Sequence, residues 1–81
     1  MRQITLDTET TGIHAASGHR IIELGAIEIV NGSMTDNSYH VYLNPNRNIE
    51  PAAVEIHGIT DEFVAEKPEF SEIIQEFIDF I

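Results

Sequence analysis

Asn31-Gly32, set between two β-rich runs, constrains this chain more than any other feature. A two-residue type I′ turn needs positive φ at both central positions, and Asn-Gly adopts that at least cost. The runs on either side are therefore expected to pair as an antiparallel hairpin, with strands near residues 20–30 and 35–43. In the first of these, Ile22 and Leu24 point one way while Ile27 and Ile29 point the other. That switch of phase around Gly25 predicts a bulge, or a strand covered on both faces. In the second, Tyr39, Val41 and Leu43 share one face, and Asn44-Pro45-Asn46 ends the run.

Upstream, residues 2–7 alternate polar and apolar, which predicts a short strand with Ile4 and Leu6 on one face. Thr5, Asp7 and, if the strand continues, Glu9 fall on the other. Thr10-Thr11-Gly12 reads as turn chemistry, with Gly12 free to take positive φ, and His14 to Gly18 as a loop of small residues. Downstream, Pro51 suits the first position of a short helix that Gly58 stops. Thr60 can cap a second short helix over Asp61 to Val64. Phe70, Ile73, Ile74, Phe77, Ile78 and Ile81 then recur at i, i+3, i+4, i+7, i+8 and i+11, one apolar helical face. The expected architecture is α/β: a three-stranded antiparallel meander, short helices and one amphipathic helix.

Composition narrows the function classes. Eighty-one residues make one small domain at most, and the chain has no cysteine. Disulfide staples, thiolate zinc sites and cysteine nucleophiles are excluded. No apolar run approaches the ~18–20 residues of a membrane span, and Asp7 arrives too early for a signal peptide, so a cytoplasmic protein is expected. Fourteen acids face four Lys/Arg, for a formal net charge of −10. Direct phosphate binding needs a basic patch, and Arg2, Arg20, Arg47 and Lys67 are scattered. Nucleic acid would have to be reached through divalent cations bridging carboxylates to phosphates.

Asp7 and Glu9 are the residues best suited to that. Two apart in a strand, they share a face at roughly 7 Å along the chain and offer the oxygen ligands that Mg²⁺ and Mn²⁺ prefer. Glu23 lies among apolar neighbours and is read as partly buried and hydrogen-bonded rather than as a ligand. His14, His19 and His40 have no ligand spacing between them and are read as solvated or structural.

Asp7-Thr8-Glu9-Thr10-Thr11-Gly12 resembles the first motif of the DEDDh-type 3′–5′ exonucleases, which have a ribonuclease-H-like fold. The likeness continues through Ile21 to Glu28, His40 to Pro45, and Val54 to Phe63, so it covers nearly the whole chain. Within the family it is strongest to the proofreading subunits of bacterial DNA polymerase III. The resemblance implies four acids and a histidine around two metal ions, Mg²⁺ or Mn²⁺, with Asp7 and Glu9 as the first two acids. The metals then activate a water and stabilise the leaving 3′ oxygen. It also implies that His57 lines the pocket for the terminal nucleotide rather than serving as base, and Thr8 and Thr10 are read as hydrogen-bonding the nucleotide through backbone or hydroxyl. Ala52 departs from the glutamate that proofreading members carry there.

On this reading residues 1–81 are the N-terminal part of a single exonuclease domain, the ribonuclease-H-like fold truncated after its first helices. The substrate implied is the single-stranded 3′ end of DNA; the partners implied are a polymerase catalytic subunit and a small accessory subunit. The other two aspartates and the His-x-x-x-x-Asp segment that carries the base are not found in the sequence, so the isolated chain is expected to be inactive. Two alternatives stand beside this: an exoribonuclease, and a non-catalytic fragment or module that docks on a polymerase subunit.

Overall fold

A computed structural model describes residues 1–12 and 20–81. Three strands, β1 (Arg2–Thr10), β2 (Ile21–Val30) and β3 (Ser33–Tyr42), form one antiparallel sheet in the order β1-β2-β3. Three helices follow: α1 (Pro51–His57), α2 (Asp61–Val64) and α3 (Phe70–Phe80). Val30 pairs with Ser33 across the expected turn, where Asn31 and Gly32 have φ of 51° and 82°. The loop expected over His14 to Gly18, and His19, lie outside the described residues. Among those residues no helix is long and apolar enough to cross a membrane.

The sheet has two unlike faces. Ile22, Leu24 and Ala26 are buried on one of them, and α3 packs there. Ile73 is buried against Leu24 and Leu43, with Tyr39, Val41 and Phe77 closing the cluster. The Tyr39 hydroxyl donates to Glu76 (2.7 Å), and burial together with this carboxylate pushes its pKa up to about 12. A second cluster of Ile22, Ile49, Ala53, Ile59 and Val64 seats α1 and α2 at the end of the sheet. Each fully buried aliphatic side chain here contributes about 1.5–3 kcal/mol relative to exposure. The apolar stripe of α3 is wider than its buried face, and Phe70, Ile74, Ile78 and Ile81 remain exposed.

Two expectations need correction. The register runs unbroken through Gly25, which pairs with both Asp7 and His40; the shifts fall between Ile27 and Ile29 and between Glu9 and Thr10. The apparent change of phase arises because Glu28 takes the buried position that continues Ile22, Leu24 and Ala26, while Ile27 is exposed. Glu28 tolerates that position because Arg2, Thr35 and Asn37 all donate to its carboxylate. β1 runs past Asp7 to Thr10, because the ladder to β2 continues to Ile21. Gly32 and Gly58 take positive φ.

Helix termini follow local chemistry. Pro51 opens α1 and Gly58, at φ 73°, closes it by donating its N–H to the Val54 carbonyl. Thr60 accepts from the Phe63 N–H at the start of α2. At α3 the Glu72 carboxylate reaches back to the Glu69 N–H (2.6 Å), occupying a donor that the helix start leaves free.

Candidate functional site

β1 carries Asp7 and Glu9 on the same face of the sheet, because the pairing with β2 is continuous from Arg2 to Glu9. That face is the one opposite α3. Asp7, Gly25 and His40 make one row across the strands, and Glu9, Glu23 and Tyr42 make the next. Among the described residues neither Asp7 nor Glu9 has a hydrogen-bond or ion-pair partner for its carboxylate.

Around these two acids the rows are built for space and for charge. Gly25 leaves a lane between Asp7 and His40: a Cβ there would lie 3.7 Å from His40 Cδ2 and 3.8 Å from the Asp7 carbonyl oxygen. A broad open depression of about 480 Å³ follows, lined by Thr5, Asp7, Ile27, Ser38 and His40. Glu23 stands directly opposite Glu9, a like-charge placement that disfavours pairing. Its carboxylate is instead engaged by His40 Nε2 at 2.6 Å, and the His40 ring meets Tyr42 edge-on at 4.9 Å. Glu23 is thus half-buried and hydrogen-bonded, and His40 has a structural role as its partner.

His57 closes the other side. It is the last residue of α1, and with Glu9, Thr10, Gly12, Ala53 and Ile56 it lines a hollow of about 50 Å³. That volume takes a few water-sized groups; small-molecule sites run ~300–1,000 Å³. Asp7 and His57 therefore line two separate concavities, Asp7 the open depression and His57 the hollow beside Glu9. Thr8 pairs with Leu24, which puts its side chain on the α3 face, away from both acids. The Thr10 hydroxyl donates to the Gly12 carbonyl at 2.5 Å.

Thr11 is a contributor that the motif alone does not single out. It is fully buried, donates its N–H to the Arg20 carbonyl (3.0 Å), accepts from the Arg20 N–H through its hydroxyl (3.1 Å) and from the Glu50 N–H through its carbonyl (2.8 Å). It anchors the end of β1 to the start of β2 and to the approach to α1. Its only sequence signal was its place in a Thr/Gly turn.

On this face Asp7 and Glu9 offer carboxylates with no partner among the described residues, which suits a hard divalent cation. Among the described residues no group of three or more His, Cys, Asp or Glu is placed to hold a metal. Asp7 and Glu9 would supply part of a coordination sphere.

Comparison with known proteins agrees with this geometry. Residues 4–81 match the model of a family described as exonuclease, of the RNase T type. The DNA polymerase III subunit epsilon of Pasteurella multocida is 52% identical over 84 residues, covering 99% of this chain and 33% of that protein. Its counterpart from Escherichia coli is also 52% identical, with 35% of its length covered. The chain thus spans about a third of the length of these relatives. Among solved structures, exonuclease X in complex with 5′-overhanging duplex DNA superposes with a TM-score of 0.79 at 31% identity, over 91% of this chain and 42% of that one. Cell-death related nuclease 4 shares the fold, with a TM-score of 0.82 at 21% identity over 98% of this chain and 29% of that one. With the two acids on one face of an exonuclease-fold sheet and a family match over nearly its whole length, the chain belongs to the exonuclease family.

Proposed function

We propose that this chain is part of a 3′–5′ exonuclease of the DNA polymerase III epsilon type, which removes terminal nucleotides from DNA 3′ ends during proofreading. The observation that carries the reading is the pair Asp7 and Glu9: same face, carboxylates with no partner among the described residues, within the stretch 4–81 that matches the family model. Asp7 and Glu9 would hold Mg²⁺ or Mn²⁺, which when bound supplies Lewis-acid and water-activating chemistry. The chain's own groups do the rest. The Thr11 anchor and the β1–β2 ladder hold the two carboxylates on one rigid strand. The hollow between Glu9 and His57 borders the place for the 3′ nucleotide, with Thr10 at its wall and Thr8 offering only its backbone.

Polymerase catalytic and accessory subunits, in a cytoplasmic replication assembly, are the partners this reading implies; its relatives carry the name of a polymerase subunit. The 81 residues supply two of the acids that the family resemblance calls for, so the chain by itself is proposed to lack hydrolytic activity. The test is a chimera joining this chain to the remaining two-thirds of the Pasteurella multocida relative. Incubated with Mn²⁺ and labelled single-stranded DNA, the chimera is expected to release nucleotides from the 3′ end, and Asp7→Ala to abolish release. Preference for RNA over DNA would replace this reading by the exoribonuclease one. A chimera as inactive as Asp7→Ala would leave the docking module.

A further inference from the structure

His57 joins two parts of the chain through both nitrogens of its ring. The Ile59 N–H lies 3.0 Å from Nδ1, and the Thr10 carbonyl oxygen lies 3.1 Å from Nε2. A backbone N–H only donates and a backbone carbonyl only accepts. Nδ1 must therefore present its lone pair and Nε2 its proton. Gly58 makes this possible: its φ of 73° turns the chain so that the Ile59 N–H faces back onto the ring.

We propose that His57 is a positioning residue, fixed as the neutral Nε2–H tautomer, that straps the Thr10 carbonyl and so sets the irregular end of β1 from which Glu9 projects. The pairing of β1 with β2 shifts register between Glu9 and Thr10. Such irregularities re-aim the neighbouring side chain and need external bonds to hold one geometry. Here the Thr10 carbonyl is taken by His57, its hydroxyl by the Gly12 carbonyl at 2.5 Å, and the next residue by Arg20 and Glu50. The consequence for recognition is specific. Both polar atoms of the imidazole are used internally, so His57 meets a nucleotide through its ring carbons and not by a hydrogen bond. The strap stands on geometry alone; its value to metal binding rests on the exonuclease reading.

The test uses the ¹⁵N-labelled 81-residue chain in solution. Imidazole ¹⁵N spectra are expected to show His57 protonated on Nε2 only, with a through-hydrogen-bond coupling between Nδ1 and the Ile59 amide nitrogen. Two variants separate the strap from ring packing: His57→Gln places an amide donor near the Nε2 position, whereas His57→Phe keeps the ring and loses both bonds. His57→Phe is expected to speed exchange of the Thr11 amide roughly tenfold, the scale of one lost hydrogen bond, and to weaken Mn²⁺ binding about tenfold. His57→Gln is expected to recover most of both. A proton on Nδ1 in the folded chain, or His57→Phe matching the parent in Thr11 exchange, overturns the strap. If the tautomer and the Thr11 contrast hold while His57→Phe binds Mn²⁺ as tightly as the parent, the strap stands and its link to the metal-holding role proposed for Glu9 falls.

Discussion

Arg2 holds Glu28 through its Nε, and the two terminal nitrogens of the same guanidinium donate to the carbonyls of Ile81 (2.8 Å) and Phe80 (2.6 Å). One side chain on β1 thus satisfies a buried acid of β2 and the free carbonyls at the end of α3. The planar fork of arginine can serve both; a lysine could not. The Phe80 ring also lies 5.8 Å below the guanidinium carbon. Cations are favoured at helix C-termini, and α3 has no basic residue in its own last turn.

This arrangement makes stability pH-dependent with a defined sign. Donation from Arg2, then from Thr35 and Asn37, lowers the Glu28 pKa from 4.5 to about 2. Its folded value lies below the unfolded one, so the stabilisation is fully present above 4.5 and fades as pH falls toward about 2. Urea midpoints of the parent and Glu28→Gln are expected to differ most at neutral pH and to converge across that window. A gap that stays constant down to the acid limit would show that the Glu28 charge is not what the network holds.

Two glycines on the same hairpin are expected to respond differently to alanine. Gly32 has φ of 82° and nothing within 4 Å of a Cβ, so Gly32→Ala meets only backbone strain. The cost of a left-handed non-glycine residue is ~1–2 kcal/mol. Gly25 has ordinary extended backbone, and its Cβ would make normal contacts at 3.7 and 3.8 Å. Gly25→Ala is expected to be neutral or stabilising by up to ~1 kcal/mol. Paired urea titrations check this; equal losses at both positions would mean that the lane beside Asp7 is filled, not open.

The core has little redundancy. Ile22 is fully buried and sits where the sheet meets α1 and α2. Ile22→Ala is expected to cost ~2–5 kcal/mol, a large share of the ~5–15 kcal/mol that domains possess. Loss of the cooperative thermal transition in circular dichroism is the expected readout. A melting curve like the parent's would place the weight of the fold on the α3 cluster around Leu24 and Leu43 instead.

Local signals made much of this legible. Asn31-Gly32 specified the hairpin, Pro51 and Gly58 bracketed α1, and the 3.6-residue repeat specified α3. The carboxylate face followed from the two-residue period of a strand. What escaped was decided by partners distant in sequence. Glu28 reads as a break in apolar phase until Arg2, twenty-six residues away, is found beside it. Thr11 reads as a turn residue, yet its burial depends on Arg20 and Glu50. The tautomer of His57 is set by a carbonyl forty-seven residues upstream, to which no periodicity points.

Glu9 stands where its proposed metal role and stability oppose each other. It faces Glu23 directly across the strand pair, and like charges so placed are destabilising, with cross-strand pair effects of ~0.2–1 kcal/mol. His40 draws the Glu23 carboxylate aside at 2.6 Å, which mutes the repulsion. Glu9→Gln is therefore expected to stabilise the chain by a few tenths of a kcal/mol while removing a carboxylate from the proposed metal site, the trade that functional sites commonly show. Replacing His40 with alanine frees Glu23 to face Glu9. In that background the gain from Glu9→Gln is expected to rise toward ~1 kcal/mol. Urea titrations of the parent, both single variants and the double variant at low ionic strength give the coupling directly. A coupling of zero would mean that His40 holds Glu23 for packing alone, and that the charge on Glu9 is screened by solvent without help from its neighbours.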